Sequence, residues 1–123
     1  MIKLMFCITR LPGLTAEEFH NHWRGTHAEL VKRHAATFGI VKYDQSHAIV
    51  DEPRNQPSAA FPHRYDGVAE VWFKDREHLD LWFDNSTPAA KAAGREIRAD
   101  ERKFADRARS PFIIAESIPV IAG

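Results

Sequence analysis

Large apolar residues occupy alternate positions at the start of the chain: Ile2, Leu4, Phe6 and Ile8 share one parity. A period of two over this length predicts a half-buried strand from Ile2 to Thr9. Leu11-Pro12-Gly13 ends it. Thr15, with Glu18 three residues later, has the form of a capping box, so a helix is expected to begin there. Val41, Tyr43, Gln45, His47 and Ile49 share parity in a second strand. Asp51 to Asp66 carries Pro53, Pro57 and Pro62 and no period. So long a connection in a compact domain marks a lid or an insertion. Asp66-Gly67 opens a third strand, Val68 to Phe73, and Asp75 caps a short helix bearing Leu79, Trp82 and Phe83. Thr87-Pro88 places a cap before proline at the first helical position, opening a helix through Ala92 to about Phe104. Phe112 to Ile121 reads as a fourth strand.

The order strand, helix, strand, strand, helix, strand is the split β-α-β arrangement of ferredoxin-like α+β folds, with a four-stranded antiparallel sheet. Residues 1–123 are read as one such domain. Its helices cover one sheet face. Ala69, Val71 and Phe73 suit packing beneath them, which turns Val68, Glu70 and Trp72 to the other face. Tyr43, Gln45 and His47 also share a face. Open aromatic surface on so small a chain is expected to be covered by a second copy, sheet against sheet. The resulting homodimer, a dimeric α+β barrel, would enclose a partly polar chamber.

Composition removes several classes of function. Seventeen basic and seventeen acidic side chains cancel, with no basic tract for nucleic acid or anionic lipid. The single cysteine, Cys7, can form neither an internal disulfide nor a thiolate zinc site, and reads as a small packed hydrophobe. The start MIKLMFCITR lacks the apolar core of a signal peptide, and no run reaches membrane-spanning length. A cytoplasmic protein is expected.

Four of seven histidines lie between Phe19 and His34. On a helical wheel started at His20, His27 falls at about −20°, His34 at about −40° and His22 at about 200°. His20 and His22 therefore diverge, while His20 and His27 are separated by roughly 10 Å along the axis, too far to share one ion. No metal site is expected in this stretch. Phe19, Trp23 and Leu30 form the buried stripe; His20, His22 and His34 read as solvated or rim residues. His27 borders the stripe, either as a core histidine satisfied by one hydrogen bond or, where Gly25 bends the helix, as a group aimed into a cavity.

Read together, MIKLMFCITRLPGLTAEEFHNHWRGTHAELV, YDQSH, YDGVAEVWFKD, DERKFAD and FIIAESIPVI span nearly the whole chain. In that order the sequence resembles the EthD-domain family, within the dimeric α+β barrel superfamily. The resemblance implies the ferredoxin-like topology and the face-to-face homodimer. It also implies that His27 of the Thr-His pair and His47 of Gln-Ser-His are the family's typical histidines. Tyr43, Asp66, Glu70 and Trp72 lie in its other recurring segments. Ala28-Glu29 depart from the small residue or proline expected after the Thr-His pair, which would re-aim His27. The family takes its name from a fuel-ether degradation cluster, and superfamily relatives isomerise lactones, cyclise or dehydrate polyketides, oxidise quinol-like aromatics or degrade haem. Fold alone therefore selects no reaction.

The residues themselves suit cofactor-free proton transfer beside a carbonyl: isomerisation, cyclisation or dehydration of a small oxygenated molecule. Histidine moves protons near neutral pH, so His27 and His47 are the expected acid and base. Tyr43 would donate to a carbonyl or enolate oxygen, and Glu70 would hold a proton or orient an imidazole. Gln45, Trp72, Trp23, Phe6 and Asp66 complete the expected substrate-binding set, Asp66 having turn chemistry beside Gly67 as its competing role. No metal or cofactor is called for. A non-catalytic accessory or carrier for an oxygenase system, a cofactor-free monooxygenase, and haem ligation by His27 or His47 are the alternatives.

Overall fold

The computed structural model describes residues 1–123. Strand β1, Ile2–Ile8, leads to helix α1, Ala16–His22, whose start is the expected capping box. The Thr15 side chain accepts from the Glu18 amide at 3.1 Å, and Glu18 accepts from the Thr15 amide at 2.9 Å. The helix does not break at Gly25. It widens into one π turn, Trp23–His27, and resumes as α2, Ala28–His34. Strand β2, Ile40–His47, pairs with β3, Gly67–Phe73. Helix α3, Arg76–Asp84, ends at Asn85 in the left-handed region (φ 52°), and α4, Pro88–Glu101, begins behind the Thr87 cap. Strand β4 is Phe112–Glu116.

The four strands form one antiparallel sheet in the order β2-β3-β1-β4, the ferredoxin-like topology expected from the element order. The fourth strand is shorter than the apolar pattern suggested. Ile2, the first residue of β1, already pairs with Glu116, so the apolar residues up to Ile121 have no strand left to pair with. Residues 51–66 hold one 3-10 turn, Pro53–Asn55, and otherwise wrap the end of the sheet. No helix is long and apolar enough to cross a membrane.

The core lies between the sheet and the helices. Leu4, Val71 and Phe73 pack with Phe38, Leu79 and Ile97 at one end; Ile8 and Ala69 pack with Phe19, Trp23 and Phe104 at the other. On β3 the expected alternation holds, with Ala69, Val71 and Phe73 buried under the helices. The bare aromatic face expected opposite them is instead dressed by the chain's own charges. Lys3 Nζ is 3.3 Å from Glu70, and Lys3 and Lys42 lie 4.9 and 4.5 Å above the Trp72 ring.

Candidate active site

Strand β2 decides where the chemistry lies. Its register pairs Tyr43 with Val71, Gln45 with Ala69 and His47 with Gly67, which turns all three toward the helices. Lys42, Asp44 and Ser46, opposite Trp72, Glu70 and Val68, line the other face. Six of the expected site residues therefore divide between the two faces. Glu70 and Trp72 lie on the sheet's open face, while Tyr43, Gln45, His47 and His27 lie within the helix layer. Parity along β2 could not settle this, because the register shifts by one residue between Ile40 and Lys42 and such a slip exchanges the faces.

Within the helix layer a hydrogen-bonded chain starts at the π turn. The Trp23 carbonyl, which also receives the Ala28 amide across the π turn, accepts from Gln45 Nε2 at 2.8 Å. The same amide nitrogen donates to the Tyr43 hydroxyl at 2.8 Å. Gln45 Oε1 is 2.8 Å from His47 Nε2, and His47 Nδ1 is 2.6 Å from His20 Nδ1. Trp23 is fully buried with its ring 4.3 Å from that of His47. It is core rather than cavity wall. His20, expected at the rim, is only 3% exposed, because the end of β2 closes over it.

A second cluster holds His27. Its Nδ1 is 2.9 Å from Asp100, and the same carboxylate takes His22 Nε2 at 3.0 and 3.1 Å. His27 and Asp100 are each 5% exposed, and the His27 ring meets the Phe104 ring edge-on. His27 thus has the bonding of a core histidine, and His22, expected in water, is its neighbour on the carboxylate. Burial pushes Asp100 up, but hydrogen bonds from His27 and His22 outweigh it and hold the carboxyl below its usual range.

Burial lowers the pKa of His20 and of His27, and lowers His47 to about 4 with help from His20 and Arg24. A folded-state pKa below the unfolded value of 6.5 means that the unfolded chain binds more protons as pH falls. Stability is then complete above about pH 7 and declines from pH 6.5 toward about 4. Thermal unfolding is expected to show a loss of roughly 1–2 kcal/mol between pH 7 and 5, after discounting His47 for partial exposure. His47→Phe should flatten part of that slope; an unchanged slope would remove the His20–His47 pair as its source.

A cavity walled mainly by aromatic and aliphatic side chains lies between sheet and helices, about 350 Å³ in volume. Phe6, Phe38, Trp82, Phe83, Ile97 and Phe112 wall it, and Arg98, Glu101, Arg107 and Ser110 supply its polar groups. Gly94 allows α4 to approach Asn85, whose Oδ1 accepts from Arg98 at 3.1 Å; a Cβ at Gly94 would collide with that oxygen. Glu101 makes no side-chain hydrogen bond or salt bridge in the chain, and none of the buried polar atoms is stranded. Its carboxyl therefore opens on the cavity. Burial raises its pKa, against the pull of Arg107, Arg98 and Arg102. The position at the C-terminal end of α4 acts in the same direction as burial, since that end repels negative charge.

Of the expected site residues only Phe6 lines this cavity. Asp66 is at the far end, accepting from the Arg10 amide at 2.8 Å and its guanidinium at 3.1 Å. Glu101 and its arginines were passed over, yet a signal was there. The buried stripe of α4 runs Ala90, Ala93, Gly94, Ile97, and three and four residues further it meets Asp100 and Glu101. Two acids on an apolar stripe are the anomaly that helical periodicity can detect.

A family model for the EthD domain matches residues 11–108. No match is found among the curated proteins. Among solved structures, the chain is similar to an ethyl tert-butyl ether D (EthD) family protein of Bacillus halodurans C-125, at 24% identity over 96% of this chain and 99% of that one, with a TM-score of 0.61. It is similar to an Arabidopsis thaliana protein at 15% identity over 99% and 100%, TM-score 0.64. A Bacteroides fragilis protein described as dimeric and ferredoxin-like matches at 12% identity over 94% and 95%, TM-score 0.58. These likenesses carry the fold, and the family follows from the match over most of the sequence: the chain belongs to the EthD domain family.

Proposed function

We propose that the protein takes a small, flat, oxygen-bearing molecule into the cavity between sheet and helices and moves a proton beside its carbonyl, as in isomerisation, cyclisation or dehydration. One observation carries this reading: the unpartnered Glu101 carboxyl at the wall of an aromatic cavity of about 350 Å³. Such a volume suits a small ligand, and apolar walls with few polar groups are what these sites use. A carboxyl that keeps its proton to higher pH than an ordinary glutamate can both accept and return one. Arg98 and Arg107 lie beside it, where negative charge on an enolate oxygen would be stabilised. In this reading Glu101 replaces His27, His47, Tyr43 and Glu70 as the acid and base. Tyr43 stays close enough for the Glu101 charge to raise its pKa, after burial, the larger cause.

The test is exchange of the α-protons of benzoylacetone with deuterated water, with binding followed by Trp82 fluorescence. The wild-type protein is expected to accelerate exchange, and Glu101→Gln to lose on the order of 100-fold while still binding. Binding without any exchange by the wild-type protein would point to a carrier and end the catalytic reading.

A homodimer through the open sheet face belongs to the same proposal. Trp72, Met5 and Ile113 lie on that face among paired charges, and the Bacteroides fragilis protein is described as dimeric. Sedimentation should give a dimer for the wild-type chain and a monomer for Trp72→Glu.

A further inference from the structure

A second pocket, of about 500 Å³, opens where residues 51–66 wrap the end of the sheet. Its wall includes His20, Arg10, Arg64 and Arg109, with Asp66 as the acid among them. Asp66 is occupied by Arg10, so the pocket keeps an excess of positive charge. His63 is occupied too: Arg109 donates to its Nδ1 at 2.6 Å, which leaves its Nε2–H for Thr9 Oγ1 at 3.1 Å. Thr9 in turn donates to the Arg109 carbonyl at 3.0 Å.

His20 is different. The tautomer of its ring follows from a backbone carbonyl three links away. The Trp23 carbonyl can only accept, so the Gln45 atom facing it is the amide nitrogen, and Oε1 faces His47. An oxygen facing His47 Nε2 requires N–H there, which leaves Nδ1 of neutral His47 bare. His20 must then supply the proton between the two Nδ1 atoms, 2.6 Å apart. Its Nε2 keeps a lone pair, has no hydrogen-bond partner in the chain, and is not a sealed-off atom. The result is a histidine 97% buried, held from behind, with one acceptor left over at the wall of a basic pocket. His47, with both ring nitrogens occupied, is a positioning residue.

We propose that this pocket binds a small hydroxy-carboxylate, whose hydroxyl donates to His20 Nε2 and whose anionic end faces the guanidinium groups of Arg10 and Arg109. The chemistry is that of matched opposites. A bare acceptor needs a donor, and the surrounding arginines need an anion. The other cavity is walled mainly by apolar side chains and this one mainly by polar and basic groups, so the two select different molecules.

Salicylate is the probe, with benzoate as its hydroxyl-free counterpart, followed by titration and by nitrogen-15 NMR of the histidine rings. In the free protein at neutral pH, His20 is expected as the Nδ1–H tautomer and His47 as the Nε2–H tautomer. Saturating salicylate should shift His20 Nε2, and benzoate should bind roughly tenfold more weakly. Arg109→Gln should weaken salicylate, and Glu101→Gln should leave its affinity unchanged. A His20 ring with its proton on Nε2 in the free protein overturns the proposal. So does equal affinity for the two acids, or a loss on Glu101→Gln matching that on Arg109→Gln, which would put the molecule in the aromatic cavity.

Discussion

Trp23→Ala is expected to lower folding stability by about 4 kcal/mol, within the range seen when a buried tryptophan is truncated. The indole is fully buried at the start of the π turn, tilted against Phe19 at 5.5 Å and His47 at 4.3 Å. Relaxation cannot refill the space cheaply, because one wall is the backbone of β3. A Cβ at Gly67 would meet both the Trp23 ring and the Ser46 carbonyl, the latter at 2.6 Å, so strand and ring are already in contact. Trp23→Phe should cost less, about 1–2 kcal/mol, since an aromatic ring remains between Phe19 and His47. Urea unfolding of the two variants measures both values. A loss below about 1 kcal/mol for alanine would mean that the π turn collapses onto the gap, contrary to the packing described here. The functional side is separable. Gln45 bonds to the Trp23 carbonyl rather than to its ring, so the Phe variant should keep the His47 and His20 tautomers.

Asp100→Ala is expected to cost about 3 kcal/mol, because it strands a buried imidazole without its acceptor. One carboxylate serves His27 and His22 together, at 2.9 and 3.0 Å, and lies at the end of α4 where a lone negative charge is unfavourable. Asp100→Asn keeps an oxygen for one of the two rings and should cost clearly less. The direction of the carboxyl's pKa gives a second check. With its folded value held below 3.8, the contribution of Asp100 persists above that pH and disappears as pH falls through the folded value. A wild-type minus Asp100→Ala stability difference that shrinks as pH falls below about 3.8 is therefore expected. Asp100 also helps to raise the pKa of Glu101. Asp100→Asn should consequently move the pH dependence of any Glu101-dependent proton exchange toward lower pH, which a purely structural aspartate would not do.

Much was legible from local pattern. The Thr15–Glu18 capping box, the Asp75 cap and the Thr87-Pro88 start all form as read, because each depends on atoms a few residues apart. The inward parity of β3 follows from a period that needs no partner. The π turn at Gly25 was foreseen only as a disturbance of phase. Its effect was to turn the Trp23 carbonyl onto a glutamine of another element.

The order of strands and helices, the caps and the buried stripes were thus determined by the sequence itself, through periodicity and short-range hydrogen bonds that a linear reading can count. Only the tertiary structure decided which face β2 presents, that His20 rather than His47 keeps a free nitrogen, that His27 is bound to Asp100, and that Glu101 opens on a cavity without a partner. The reason is physical: proton placement and desolvation depend on groups that are 27 residues apart for His20 and His47 and 73 apart for His27 and Asp100, and no local period reports them.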